Sequence, residues 1–476
     1  MSTDTSTVSE AALSTRAKVH LRNRDILTSH GNIALRKAAV EIIEYALQAA
    51  DPYTAVRRLV QIDSHLLSIG DLVLDLERYE RIFVVGAGKA SLPIAQALED
   101  ILGDRISDGL FVLKHGSRAD LNRTAGSPPR VIYAAHPVPD ENGHRGAQAM
   151  MEMAEGFAKN DLVFAGISGG SSALLPLPVE GVSLADKQKV NQVLLHCGAD
   201  IIEINAVRKH LSRIKGGRLA KAILPATLVN LAVSDVVGDP LDYITGPTVA
   251  DTSTFDDARG VLDRYELWAA FPKSAADYLR SGGEAQETPK DFGDAPIYTF
   301  LIVDSAAACL GAAERAAELG YEPMILTTML KGEAREAGTF FAAIANEIVR
   351  FGRPMSAPCA IVAGGENTVT NPDKYGKYGE GGGPNQEFTL SACLDLVGLE
   401  NVVLVAIDTD GTDGPTDLAG GMVGGRTLPA AKAKDIDVFR ALHDHDASRV
   451  LQEIGDAVIT GHTGTNVNDL RLLLVG

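Results

Sequence analysis

RIFVVGAGKAS, residues 81–91, decides the fold of this chain. A Val/Ile-rich run that ends in glycine reads as a buried strand. Gly86 and Gly88 then let the backbone turn directly into an Ala/Leu-rich helical sequence. A helix that starts at a strand's carboxyl end presents N–H groups and a positive dipole end, and with Lys89 beside them this makes a cradle for phosphate or carboxylate. The turn is not a dinucleotide fingerprint. Its third glycine position holds Ser91, and the next apolar run, GLFVLKHG (109–116), ends in Lys114 and His115 where NAD binding calls for an acid. Nor is it a Walker A loop, since Phe83 and Ala90 stand where Gly and Ser/Thr are required.

The same alternation of short Val/Ile-rich runs with longer Ala/Leu-rich ones continues in both directions. Strands are expected at 81–86, 131–135, 162–168, 227–235, 298–303, 358–365, 401–408 and 457–461, most ending in Gly, Ser or Asp. This is the pattern of parallel strands crossing over through helices, so the fold class is α/β, with ligands expected beyond the strands' carboxyl ends. The stretch 256–295, rich in Asp, Gly, Glu and Pro, reads as the connection between two lobes, 26–255 and 256–476.

A chain of 476 residues, 45% apolar, has enough apolar sequence for two or three cores. Its formal charge of −18 argues against nucleic acid or an anionic membrane surface as partner, while leaving small anionic substrates open to a local basic pocket. Cys197, Cys309, Cys359 and Cys393 lack metal-site or disulfide-framework spacing, which suits a reducing, cytoplasmic setting. No run approaches the length of a membrane span, and the Ser/Thr-rich N-terminus lacks a signal peptide's apolar core.

Four further rim segments carry chemistry. In GISGGSSALLPLP (166–178), Ser168, Gly169, Gly170, Ser171 and Ser172 offer hydroxyls and N–H groups to an anion. NAVRKHLSRIKGGRLA (205–220) concentrates Arg208, Lys209, His210, Arg213, Lys215 and Arg218 in an acidic chain. A solvated helix face explains most such runs; here Gly216 and Gly217 interrupt the helix beside the cations, as in a loop that embraces a ligand. LAVSDVVGDP (231–240) places Asp235 and Asp239 beyond a strand, where they suit a substrate hydroxyl or Mg²⁺. VAIDTDGTDGPTD (405–417) crowds Asp408, Asp410, Asp413 and Asp417 at another strand exit, where like charges need a cation or hydrogen bonds to compensate. Cationic donors, metal carboxylates and an acid–base group are together the parts of a phosphoryl-transfer site.

VVGAGKAS, HPVPDENG, ISGGSSALL, NAVRKHLSRIKGGRLA, SDVVGDP, GGENTVT, GGGPNQE, DTDGTDGPTD and TGTNVNDL occur in this order. Together they resemble the glycerate 2-kinase family, whose C-terminal region is the MOFRL domain and some of whose members are labelled hydroxypyruvate reductases. The resemblance runs from about Ile26 to the C-terminus. It implies two lobes with Rossmann-like, mostly parallel sheets, a cleft between them, and ATP- and Mg²⁺-dependent phosphorylation of a small hydroxy acid, D-glycerate first, with homo-oligomers allowed. It further implies that Lys89 and Asp235 are catalytic. Substrate and phosphate contacts fall on Gly86, Gly88, Ser168, Gly169, Gly170, Ser171, Ser172, Arg208, Lys209, Lys215, Glu366, Asn385, Gln386 and Glu387. Asp239, Asp408, Asp410 and Asp413 fall on the metal. Three departures stand out: Pro384 replaces the arginine of the family's GGRNQE, the segment DYITGPT is shortened, and His462 replaces a common proline. Losing the arginine's charge and fork of donors opens two alternatives, a longer sugar acid such as a tetronate, or compensation by Arg208 or Lys209. An NAD(P)-dependent hydroxypyruvate reductase is the reading from another reaction class.

Overall fold

The short apolar runs form strands in two separate six-stranded sheets and one small meander. The computed structural model describes residues 19–116, 129–234, 238, 246–370 and 381–476. It divides into two compact units. One comprises Ala55–Asp304 with Gly464–Asn468, the other Met1–Thr54, Ser305–Thr463 and Asp469–Gly476.

The unit built on Ala55–Asp304 opens with an antiparallel meander, β1 (Val60–Asp63), β2 (Leu66–Ile69) and β3 (Leu72–Asp75). Its main sheet contains β4 (Arg81–Ala87), β5 (Ile106–Lys114), β6 (Arg130–Ala134), β7 (Asp161–Ile167), β8 (Thr227–Val233) and β9 (Ile297–Val303). They lie in the order β6-β5-β4-β7-β8-β9, and every neighbouring pair is parallel. Numbered from β4, this is the 3-2-1-4-5-6 order of a doubly wound sheet, with its switch point between β4 and β7. All residues of β7 and β8 are buried, as expected of strands covered on both faces.

The acid-rich stretch after residue 255 is not an open connection. Helices Phe255–Arg264 and Lys273–Ser281 bury Phe255, Ala258, Val261, Leu262 and Leu279 against Val190, Leu194 and Val207. Apolar residues at 255, 258, 261 and 262 follow helical spacing, which the surrounding acids obscure in composition. The compact units therefore part at Asp304/Ser305 rather than near residue 255.

In the other unit, β10 (Glu322–Leu330), β11 (Cys359–Gly365), β12 (Val402–Asp408), β13 (Gly420–Gly424), β14 (Ala457–Val458) and β15 (Asp469–Val475) make a mixed sheet ordered β10-β11-β15-β12-β13-β14. Only β10 and β11 pair in parallel; β15 lies antiparallel between β11 and β12. The register sets Asp469 opposite both Gly365 and Asp408, so the carboxyl ends of β11 and β12 share a rim with the start of β15. The helix Pro384–Ala392 is buried from Asn385 onward, with Phe388 set against Phe341 at 5.2 Å between ring centroids. All four cysteines are free, and among the described residues no helix is long and apolar enough to cross a membrane.

Candidate functional site

At the switch point, the loops after β4 and β7 are tied to each other. Lys89 N–H donates to Gly169 O at 2.8 Å, Ala90 N–H to the Ser168 hydroxyl at 2.9 Å, and Ser168 N–H to Ala87 O at 3.1 Å. Two N–H groups expected to receive phosphate are thus spent on joining the loops. Gly88 has φ +135°, and a Cβ there would lie 2.1 Å from the Ser168 hydroxyl, so only glycine permits this approach. Gly170, at φ +84°, lies against the Lys89 side chain and the His136 ring, leaving 3.2 Å and 3.3 Å to an added Cβ. Lys89 is half-buried here, whereas Ser168 and Ser171 are buried. Gly86 sits back within the sheet, where a Cβ would strike Phe111 and Gly166 O, so its role is packing and not ligand contact.

The basic segment separates into two kinds of cation. Lys209 Nζ lies 2.9 Å from Asp251 Oδ1, with both side chains buried, and His210 Nε2 lies 2.6 Å from Glu287. Lys209, expected at a phosphate, is therefore committed to a structural ion pair. Lys215 and Arg208 are not. Lys215 Nζ donates to Ser172 O at 2.6 Å and to its hydroxyl at 3.2 Å; Arg208 Nε donates to Asn191 Oδ1 at 3.0 Å. The sequence reading missed a third, Lys187, which is 2% exposed and donates to Leu211 O at 3.1 Å. Burial, with Arg208 and Arg218 nearby, pushes the Lys187 ammonium down to about 7. Burial, with Lys187 and Arg208, holds Lys215 well below the ordinary lysine range, and burial lowers Arg208 to about 10. Lys187 shares the inward line of helix Leu184–His196 with Val190 and Leu194. A lysine at a core-facing helical position is the signal that was available in the sequence.

In the unit with the mixed sheet, Asp413 turns inward. Its carboxylate accepts from Asn385 N–H (3.1 Å), Asn385 Nδ2 (3.1 Å) and Gln386 N–H (2.9 Å), so it caps the helix Pro384–Ala392. Asn385 Nδ2 also reaches Asp469 Oδ1 at 2.7 Å, and Asp469 pairs with the fully buried Arg471 at 2.6 Å. Burial and the neighbouring Asp469 raise the Asp413 carboxyl to about 7. Glu387 is paired with Arg335 at 2.7 Å and His445 at 2.9 Å. Asn385, Gln386 and Glu387 thus hold the helix and its surroundings, while Glu366, just past β11, is exposed. Pro384 occupies the helix's first turn, where a missing N–H costs nothing. His462 is exposed in the loop beside the aspartate edge, where Thr463 binds back to Thr409 O and Asp410 O.

Among the described residues no three His, Cys, Asp or Glu side chains are grouped to hold a metal. Magnesium commonly takes only one or two carboxylates and keeps water and substrate phosphates as its other ligands. Asp408 and Asp410, at the exit of β12 with Asp410 N–H bonded to Asp408 Oδ1 at 2.9 Å, fit that sparse demand. Asp413 does not, because its oxygens are occupied by the helix. Asp235, Asp239 and residues 242–245 of the shortened segment lie outside the described residues.

A doubly wound sheet with a lysine turn at its switch point, a cluster of buried and half-buried cations beside that turn, and an acidic rim on a second sheet define a small-molecule, anion-handling α/β protein. Two family models match: one described as a domain of unknown function, DUF4147, over residues 38–280, and the MOFRL family over 359–469. A Pyrococcus horikoshii protein named glycerate 2-kinase is 42% identical over 93% of this chain and 97% of its own. The D-glycerate 2-kinase of Thermotoga maritima is 40% identical over 93% and 99%. A protein of Agrobacterium vitis with a provisional hydroxypyruvate reductase name is 42% identical over 83% and 100%. The crystal structure of the Thermotoga maritima glycerate kinase matches with TM-score 0.78 and 39% identity, covering 93% of this chain and all of that one. The chain belongs to the glycerate kinase family that joins these two regions.

Proposed function

We propose that this chain transfers the γ-phosphoryl group of ATP to a hydroxyl of D-glycerate, giving 2-phosphoglycerate and ADP. The observation that carries the reading is Lys89 at the switch point, tied in place by the Ser168–Ser172 loop, in a chain that matches glycerate kinases along almost their whole length. In this reading the Lys89 ammonium meets the transferring phosphoryl oxygens, and the attacking hydroxyl loses its proton to Asp235, the position the family resemblance assigns. Asp408 and Asp410 would hold Mg²⁺, which when bound neutralises charge developing on the phosphates. A reductase is less well served, since β5 ends in Lys114 with His115 after it, and neither is the acid that a dinucleotide ribose calls for at a strand's end.

The test is a screen of D-glycerate, L-glycerate and four-carbon sugar acids for ADP release, with and without Mg²⁺, run beside NAD(P)H oxidation with hydroxypyruvate. ADP release with D-glycerate that stops in excess chelator is expected, and phosphorus NMR of the product assigns the 2-position. NAD(P)H oxidation without any ADP release would replace this reading by the reductase.

A further inference from the structure

Of the cations in and around the basic segment, the fold gives carboxylates to some and withholds them from others. Lys209 has Asp251, His210 has Glu287, and Arg218 lies in the field of both acids. Among the described residues, Lys187, Arg208 and Lys215 have none. Their hydrogen-bond partners are neutral oxygens of Leu211, Asn191 and Ser172. The charged neighbours that act on Lys187 and Lys215 are other cations: Arg208 and Arg218 on the first, Lys187 and Arg208 on the second. Both lysines are 2% exposed, so water cannot screen this repulsion. Two buried lysines beside a half-buried arginine are costly to keep charged unless a counter-charge arrives. The chain itself, among the described residues, does not bring one.

We propose that Lys187, Arg208 and Lys215 form a subsite for one small oxyanion, the carboxylate of the acceptor acid or the phosphoryl group it receives. The identity of the anion rests on the kinase reading; the existence of the subsite does not. Its position suits either source. Lys215 is anchored on Ser172, two residues beyond Gly170, and Gly170 is where the Lys89 side chain passes. The subsite therefore borders the switch-point turn. Arg208 supplies a planar fork for two oxygens, and the two ammonium groups approach as point charges from other directions. A bound anion removes the repulsion and re-charges the lysines, so the free protein is strained relative to the complex.

Lys187→Met keeps the buried volume and removes one charge. Nucleotide-free wild-type and variant proteins are titrated with D-glycerate and, separately, with inorganic phosphate, following unfolding temperature and heats of binding. The variant is expected to unfold at a higher temperature than wild type when no anion is present, and to bind at least one of the two anions at least tenfold more weakly. Loss confined to D-glycerate assigns the carboxylate; loss confined to phosphate assigns the phosphoryl group. Arg208→Gln, measured in the same way, should weaken the same anion and covers the case in which Lys187→Met does not fold. Wild-type and variant proteins with equal affinities for both anions, or a wild type that binds neither, overturn the subsite. If wild type releases no ADP with any hydroxy acid yet anion binding still depends on Lys187, the kinase reading falls and the subsite stands.

Discussion

Lys209→Met is expected to destabilise the protein while leaving its substrate affinities almost unchanged. The Lys209 ammonium is 2.9 Å from Asp251 Oδ1, and the two side chains are 3% and 0% exposed. Burial alone would raise the Asp251 carboxyl, but Lys209 and the bonds from Ser253 overcome it and hold it below the usual carboxylate range. Without Lys209, Asp251 keeps Ser253 N–H, the Ser253 hydroxyl and the Thr288 hydroxyl, yet loses its cation. Removing one member of a buried pair costs about 3–5 kcal/mol. In a unit of this size that is about 6–20 °C in unfolding temperature, at roughly 2–4 °C per kcal/mol. Lys209→Met/Asp251→Asn should recover most of the loss, because no buried charge is then left alone. The sign with pH follows from the depressed carboxyl. The pair contributes fully above the unfolded carboxylate range and is lost as pH falls through the folded value, so the variant's deficit should shrink in acid. Denaturant titrations of the two variants at neutral and acid pH, with KM for D-glycerate and ATP measured well below the transition, make the test. A Lys209→Met protein as stable as wild type but with a much higher KM would show that Lys209 faces a ligand and that its bond to Asp251 is incidental.

Lys89→Ala should lower turnover at least about a hundredfold, the scale of removing one electrostatic stabiliser, with no change in unfolding temperature; near-normal turnover would detach the turn from the chemistry. Asp413→Asn should flatten the dependence of stability on pH between about 4 and 7. The neutral acid is accommodated in the fold, and the cost of ionising it beside Asp469 grows from the unfolded carboxylate range upward and is complete above about 7. An unchanged slope would place the titration elsewhere. Pro384→Arg should lower KM for D-glycerate and leave KM for ATP alone, at a stability cost of no more than about 1 kcal/mol; an unaltered KM would mean that this helix start does not face the acceptor.

The parallel sheet was legible because each of its strands is a short apolar run closed by a polar or glycine residue, and its rim followed from where those runs stop. β15 was not. Asp469 and Arg471 make DLRLLLV read as half-polar, and only their mutual pairing, with Arg471 packed 5.3 Å from the centre of the Phe388 ring, lets the segment lie at the middle of a sheet. The roles within the basic segment were equally hidden. Lys209 and Lys215 look alike in sequence, and what separates them is Asp251, distant along the chain and present beside only one. Asp413 reads as a metal ligand among its neighbouring acids until the helix that follows Gly383 is brought against it.

The path of the chain through the mixed sheet has a consequence for its synthesis. Helix Ile33–Ala49 belongs to that unit, the chain then leaves it for the whole of Ala55–Asp304, and β15 enters between β11 and β12 after both have been made. On a ribosome the inserted parallel unit has almost all of its sequence available while its host still lacks every strand. When β11 and β12 emerge, their facing edges carry unpaired N–H and C=O groups until residues 469–475 arrive. Edges of that kind recruit foreign strands, and pairings of such high sequence separation form slowly. In the interval before β15 docks, the nascent host unit is the part of this protein that a chaperone has most reason to hold.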